Sequence, residues 1–175
     1  MSEFKARVVF IGAPAAGKSK VAKRVARLLD VPRIDTDKVI VAERGPIVDI
    51  FDTEGEPAFR AYERQAVREA IEQDAVVSVG GGAILNADTQ ADFALLPIVL
   101  LTVSEDVVEK RFGDPKRPLL RHGMPAWKKL VEERTPIYNR LADLTIDTSH
   151  TSFDEIAEQV AQWVRDGYPG RKASK

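Results

Sequence analysis

Short apolar runs rich in β-branched residues alternate along the chain with longer stretches in which apolar positions recur at three- and four-residue spacing. This alternation predicts βα units around a buried parallel sheet, because strands covered on both faces read as continuous apolar runs. Strands are expected at 7–11, 33–35, 76–79, 98–103 and 144–146. Between the first two, Lys18–Leu29 sets Val21, Val25, Leu28 and Leu29 on one helical face and stops before Pro32, which cannot continue a helix. A helix is also expected over 53–74, where Ala58, Tyr62, Ala66 and Ala70 form a modest stripe. Others follow from Ser104 to near Gly113, over 126–141 and over 152–164; Ser152 with Glu155 gives the last a capping-box spacing. Gly113 to Pro125 breaks the pattern with Pro115, Pro118, Gly123 and the basic residues Lys116, Arg117 and Arg121, and reads as a basic loop. The tail over 167–175 is expected to fray.

Length and composition narrow the class. At 175 residues, with 44% apolar and 30% charged residues, the chain is expected to fold alone as one domain. Its 26 basic and 27 acidic residues nearly cancel, so bulk charge offers no attraction to nucleic acid or membrane. Cysteine is absent and histidine limited to His122 and His150, which removes disulfides, thiolate nucleophiles and Cys- or His-rich metal sites. The longest apolar stretch, 93–103, is too short to span a bilayer and is interrupted by Pro97. Without a secretory pattern at the start, the expectation is a cytoplasmic protein.

One motif carries chemistry on its own. Gly12-Ala-Pro-Ala-Ala-Gly17-Lys18-Ser19 satisfies G-x-x-x-x-G-K-[ST] and stands between an expected strand and an expected helix. In that context the N–H groups of Gly12, Ala15, Ala16, Gly17, Lys18, Ser19 and Lys20 belong to a phosphate-binding turn. Lys18 would reach the β- and γ-phosphates and Ser19 would supply a hydroxyl to Mg²⁺. The loop says nothing about what receives the phosphoryl group.

Three weaker features bear on the acceptor. Asp35-Thr36-Asp37 closes the second strand, where its carboxylates could serve a cation and a reacting hydroxyl or simply cap a helix. Gly80-Gly81-Gly82 after the third strand admits a ligand close to the main chain, or makes a tight turn. Arg60 and Arg134 lie on expected helices, where an ordinary salt bridge is the default for either.

Taken in order, these motifs resemble shikimate kinase from Val8 to about Val164. The resemblance adds Asp49-Ile-Phe, Gly55-Glu-x-x-Phe59-Arg60, Arg117-Pro-Leu-Leu, Glu133-Arg134-x-Pro-x-Tyr138 and Asp147-Thr-Ser. It implies a three-layer α/β/α P-loop kinase similar to nucleoside monophosphate kinases, with a central five-stranded parallel sheet, an acceptor-binding insertion at 39–72 and a lid at 112–124. It implies transfer of the ATP γ-phosphate to the 3-hydroxyl of shikimate, as part of chorismate and aromatic amino-acid biosynthesis, by a monomer that uses Mg²⁺. By the same resemblance Asp37 is the catalytic carboxylate at the reacting hydroxyl, and Asp35 holds the Mg²⁺ water shell together with Ser19. Arg60 and Arg134 bind the shikimate carboxylate with Gly80, Gly81 and Gly82 beside it. Lys18 and Arg117 follow charge on the transferred group, and Arg111 packs on adenine. The chain departs from the family pattern at Ala15, where glycine is usual, and at Arg44-Gly45-Pro46-Ile47, one residue shorter than its counterpart. The short segment leaves open another small hydroxylated acid or polyol as acceptor, and a noncatalytic nucleotide-binding module remains the alternative from a different class.

Overall fold

The computed structural model describes residues 4–112 and 123–175. Five parallel strands form one sheet in the order β2-β3-β1-β4-β5: β1 (Val8–Gly12), β2 (Arg33–Asp35), β3 (Val76–Ser78), β4 (Ile98–Thr102) and β5 (Leu144–Asp147). Each strand lies within two residues of its expected bounds.

Strand alternation divides the core into two layers. Val9, Ile11, Val77, Ile98 and Leu100 face Val67, Ile71, Phe93 and Leu141 on one side. Val8, Phe10, Val76, Val99 and Leu101 face Val21, Val25, Ile156 and Val160 on the other. The first side is covered by α4 (Glu56–Ile71), α5 (Ala87–Phe93) and α7 (Gly123–Leu141), the second by α1 (Lys18–Leu29) and α8 (Phe153–Arg165). This is the buried parallel sheet expected from the alternation, in the three-layer α/β/α form that the resemblance implied. Ser152 caps α8 as the spacing suggested, with Glu155 N donating to Ser152 Oγ at 3.1 Å.

The insertion holds more helix than the sequence pattern showed. The stretch expected as one helix from residue 53 is divided at Gly55, whose φ of 89° ends α3 (Ile47–Glu54) before α4 begins. Before α3, α2 (Thr36–Arg44) starts directly from β2, and Ile40, Ile50, Phe59 and Ala66 bury one another in a separate small core. The shortened Arg44–Ile47 segment falls on the α2–α3 connection, so both walls of this small core are intact.

The tail also departs from expectation. Rather than fraying from Gly167, it is tied back at several points. Tyr168 Oη donates to Arg7 O at 2.8 Å, Trp163 Nε1 to Pro169 O at 3.0 Å, and Arg171 Nη2 to Leu95 O at 2.7 Å. Lys175 buries its ammonium against Asp143 and the Leu96 carbonyl. Sequence composition at 167–175 carries no trace of these contacts, since apart from Trp163 their partners lie far away in the chain.

Candidate active site

The site is built at the carboxyl ends of β2, β3 and β1, three neighbouring strands. From β1 the chain enters the glycine-rich loop, and Gly17 takes φ 94° as the cap of α1. A side chain at Gly17 would meet the Phe153 ring at 2.8 Å, so the position requires glycine for space as well as for conformation. Ala15 also has positive φ, at 70°, although it carries a Cβ. Lys18 folds back over the loop and donates to the Gly12 and Ala13 carbonyls at 2.7 and 2.9 Å. Burial pulls its pKa down to about 8, against the upward pull of Asp37 and Asp35.

Asp35 makes the helix cap that was one of its two readings, and it also reaches the phosphate loop. Its Oδ1 accepts from Lys38 N at 3.2 Å and caps α2, while its Oδ2 accepts from Ser19 Oγ. A hydroxyl and a carboxylate therefore meet beside the phosphate loop, a hard-oxygen pair suited to Mg²⁺. Asp37, in the first turn of α2, faces the triglycine turn after β3: a Cβ at Gly80 would lie 2.9 and 3.0 Å from its two oxygens. Its Oδ1 is buried with no hydrogen-bond partner among the described residues. Burial first, then the Asp35 carboxylate, raises the Asp37 pKa.

The two arginines arrive on different helices. A Cβ at Gly82 would come within 2.5 Å of Arg60 on α4, and one at Gly81 within 3.2 Å of Arg134 on α7. Arg60 does make the helical salt bridges that were its default, to Glu63 at 2.8 Å and Glu56 at 3.3 Å, yet it faces the turn as well. Gly81 also abuts the phosphate loop, where Pro14 and the Gly12 carbonyl would lie 3.1 and 3.3 Å from a Cβ. The anion site and the cleft holding Asp37, Arg60 and Arg134 thus share a wall.

Arg111, on α6 (Glu105–Phe112), donates to the Ala15 carbonyl and lies 5.6 Å from the Phe153 ring centre, with Lys20 on the same ring at 6.0 Å. Both cations therefore border the loop beside Phe153. Arg117 and residues 113–122, the greater part of the expected lid, lie outside the described residues.

Two side chains that the structure places at the cleft carried no assignment in the sequence. Glu63 is 3% exposed and anchors Arg60; burial raises its pKa against the opposing pull of Arg60. Its place three residues after Arg60 on one helix was the available signal. Tyr138, one helical turn beyond Arg134, is buried, and its Oη donates to the Gly81 carbonyl at 2.5 Å. Burial raises its pKa, against the pull of Arg134.

Comparison with known proteins gives a consistent result. The family model for shikimate kinase matches residues 14–165. A shikimate kinase of Thermobifida fusca is 46% identical over 158 residues, covering 88% of this chain and 92% of the relative. One of Rhodococcus jostii is 40% identical over 159 residues, covering 88% and 95%. Among solved structures, shikimate kinase from Acinetobacter baumannii in complex with shikimate superposes with a TM-score of 0.84 at 28% identity, covering 94% of this chain and 96% of that one. With its five-stranded parallel sheet and glycine-rich loop, the chain belongs to the shikimate kinase family.

Proposed function

We propose that this chain transfers the γ-phosphoryl group of ATP to the 3-hydroxyl of shikimate, giving 3-phosphoshikimate and ADP. The observation that carries the reading is the convergence of Asp37, Arg60, Arg134 and Gly80–Gly82 in a cleft walled by the phosphate loop. Shikimate combines one carboxylate with vicinal hydroxyls. Two guanidinium groups suit the carboxylate, and a buried carboxylate with an unpartnered oxygen suits a hydroxyl. The Acinetobacter baumannii relative holds shikimate, which supports the same acceptor here.

In the reaction, Asp37 accepts the proton of the attacking hydroxyl as its oxygen bonds to the γ-phosphorus and the bond to the β-phosphate oxygen breaks. Lys18 leaves the Gly12 and Ala13 carbonyls for the transferring group, and Arg117 adds a second positive charge there. Arg60 and Arg134 fix the acid end so that the hydroxyl is aligned, and Glu63 fixes Arg60. Ser19 and Asp35 would hold Mg²⁺ and its water shell, and the cation would offset phosphate charge as it develops. Arg111, beside Phe153, would pack on the adenine ring. No described helix is long and apolar enough to cross a membrane. The reading is of a monomer acting on small molecules in the cytoplasm, and the formal net charge of −1 gives no bulk attraction to nucleic acid or membrane.

The test is ADP release by purified protein with Mg-ATP across shikimate, quinate, gluconate and small polyols. Turnover confined to shikimate is expected. Turnover with another acid in its place overturns the acceptor, and ADP binding without any turnover supports a noncatalytic module.

A further inference from the structure

The phosphate loop is held from outside by side chains far from it in sequence. Thr148, at the end of β5, donates its single hydroxyl proton to the Ala16 carbonyl at 2.8 Å, the shorter of two contacts, the other being Thr102 O at 3.0 Å. Its own N–H is fixed on Thr102 O at 2.8 Å, which locks Thr148 onto the sheet edge. Trp127 on α7 donates its indole N–H to the Pro14 carbonyl at 3.0 Å, and Arg111 takes the Ala15 carbonyl between them. Both Thr148 and Trp127 are buried, at 2% and 5% exposure.

A trans peptide is planar, with C=O and the following N–H pointing in opposite directions. A donor that draws the Ala16 carbonyl outward therefore aims the Gly17 N–H inward, and one that draws the Pro14 carbonyl outward aims the Ala15 N–H inward. The peptide planes held by Trp127 and Arg111 are those on either side of Ala15, and their relative rotation sets its backbone conformation. Ala15 holds φ 70° without glycine's freedom, and its methyl packs beside Ala13, Val108 and Trp127.

We propose that Thr148 and Trp127 are positioning residues for phosphate binding: they keep the Ala15–Gly17 loop in its anion-binding form before any nucleotide arrives, and so permit alanine at position 15. This rests on the phosphate-loop reading and is independent of the acceptor. Preorganised amides bind an anion without the cost of ordering the loop first.

The test is the affinity for Mg-ADP, measured by calorimetry without shikimate. Thr148→Val keeps shape and removes one donor, Trp127→Phe removes the other while leaving a smaller ring, and each should raise Kd about tenfold, the scale of one lost hydrogen bond at a buried carbonyl. Thr148→Ser should return to within about twofold of wild type. The KM for shikimate should stay unchanged. Nucleotide affinity unaltered in the folded variants overturns the proposal, including when their unfolding midpoints fall, since that result leaves only a structural role. Should Thr148→Val fail to fold, Trp127→Phe and backbone ¹⁵N relaxation of the unliganded wild type decide. Order at Ala15–Gly17 equal to that of α1 is expected, and a loop that orders only when ADP is added overturns the proposal.

Discussion

The two sides of the cleft are built from different materials. On the phosphate side, one continuous segment makes a turn whose amides are the proposed binding surface, with Lys18 the charged side chain within it. On the acceptor side the main chain withdraws to three glycines, and the surface is made by charged side chains from α2, α4 and α7. Main-chain donors recognise any phosphate; side-chain charges set at chosen positions recognise one particular acid. The first side therefore assigns the class of reaction and the second its acceptor, and the two should fail separately when altered.

The sharpest break between them is Asp37→Asn. It keeps shape and removes the proton acceptor, so kcat should fall roughly a hundred- to ten-thousand-fold while the Kd for ADP stays near wild type. Steady-state kinetics with calorimetry read the two separately, and unchanged turnover would remove Asp37 from its role.

Next in size are the two arginines, which differ instructively. Arg134→Ala should raise the KM for shikimate about ten- to a hundredfold with little loss of stability, as expected for one charge-assisted contact. Arg60→Ala should do the same and also cost about 1–3 kcal/mol of stability, because it leaves the buried Glu63 carboxylate without its partner. The raised Glu63 pKa limits that loss, since the carboxyl can take up a proton. Equal unfolding midpoints for the two variants would show that Glu63 does not depend on Arg60.

The smallest effect is a pH dependence on the phosphate side. Lys18 in the free protein titrates at about 8, and a bound phosphate favours its charged form and raises that value. Below pH 8 the ammonium is already present and contributes no slope. Above it, binding must take up a proton, so ADP affinity should fall by up to about tenfold per pH unit. Calorimetry from about pH 7 to about pH 9.5 should show this bend, and Lys18→Arg should abolish it, because guanidinium keeps its proton throughout that range. On the acceptor side the sign is opposite: kcat/KM should rise as the elevated Asp37 group loses its proton.

What could be read from the sequence followed the same division. The phosphate loop was legible because its ligating atoms are consecutive, and the strands were legible because burial on both faces leaves continuous apolar runs. By contrast, α2 and α3 are short and weakly striped, and α5 is a seven-residue run of mostly small and polar residues, so periodicity had little to register. Glu63 reads in sequence as part of a solvated helix face; its burial is imposed by packing around Gly80 and Arg60. Arg60 and Arg134 acquired meaning only through the order of the motifs around them. Thr148 sat in a recognised Asp-Thr-Ser motif whose purpose is visible only once β5 lies beside β4, within reach of Ala16.

The strand order also sets a length. The phosphate loop leaves β1 and the triglycine turn leaves β3, and these strands are hydrogen-bonded neighbours with Phe10 opposite Ser78. The roots of the phosphate-binding and acceptor-binding turns are thus held at the inter-strand spacing of about 4.8 Å, which hydrogen bonds fix in any sheet. The chemistry is mounted on a ruler that no side-chain replacement can rescale. A change of acceptor would have to come from the helices of the insertion, where the walls can shift while donor and acceptor anchorage stays in place.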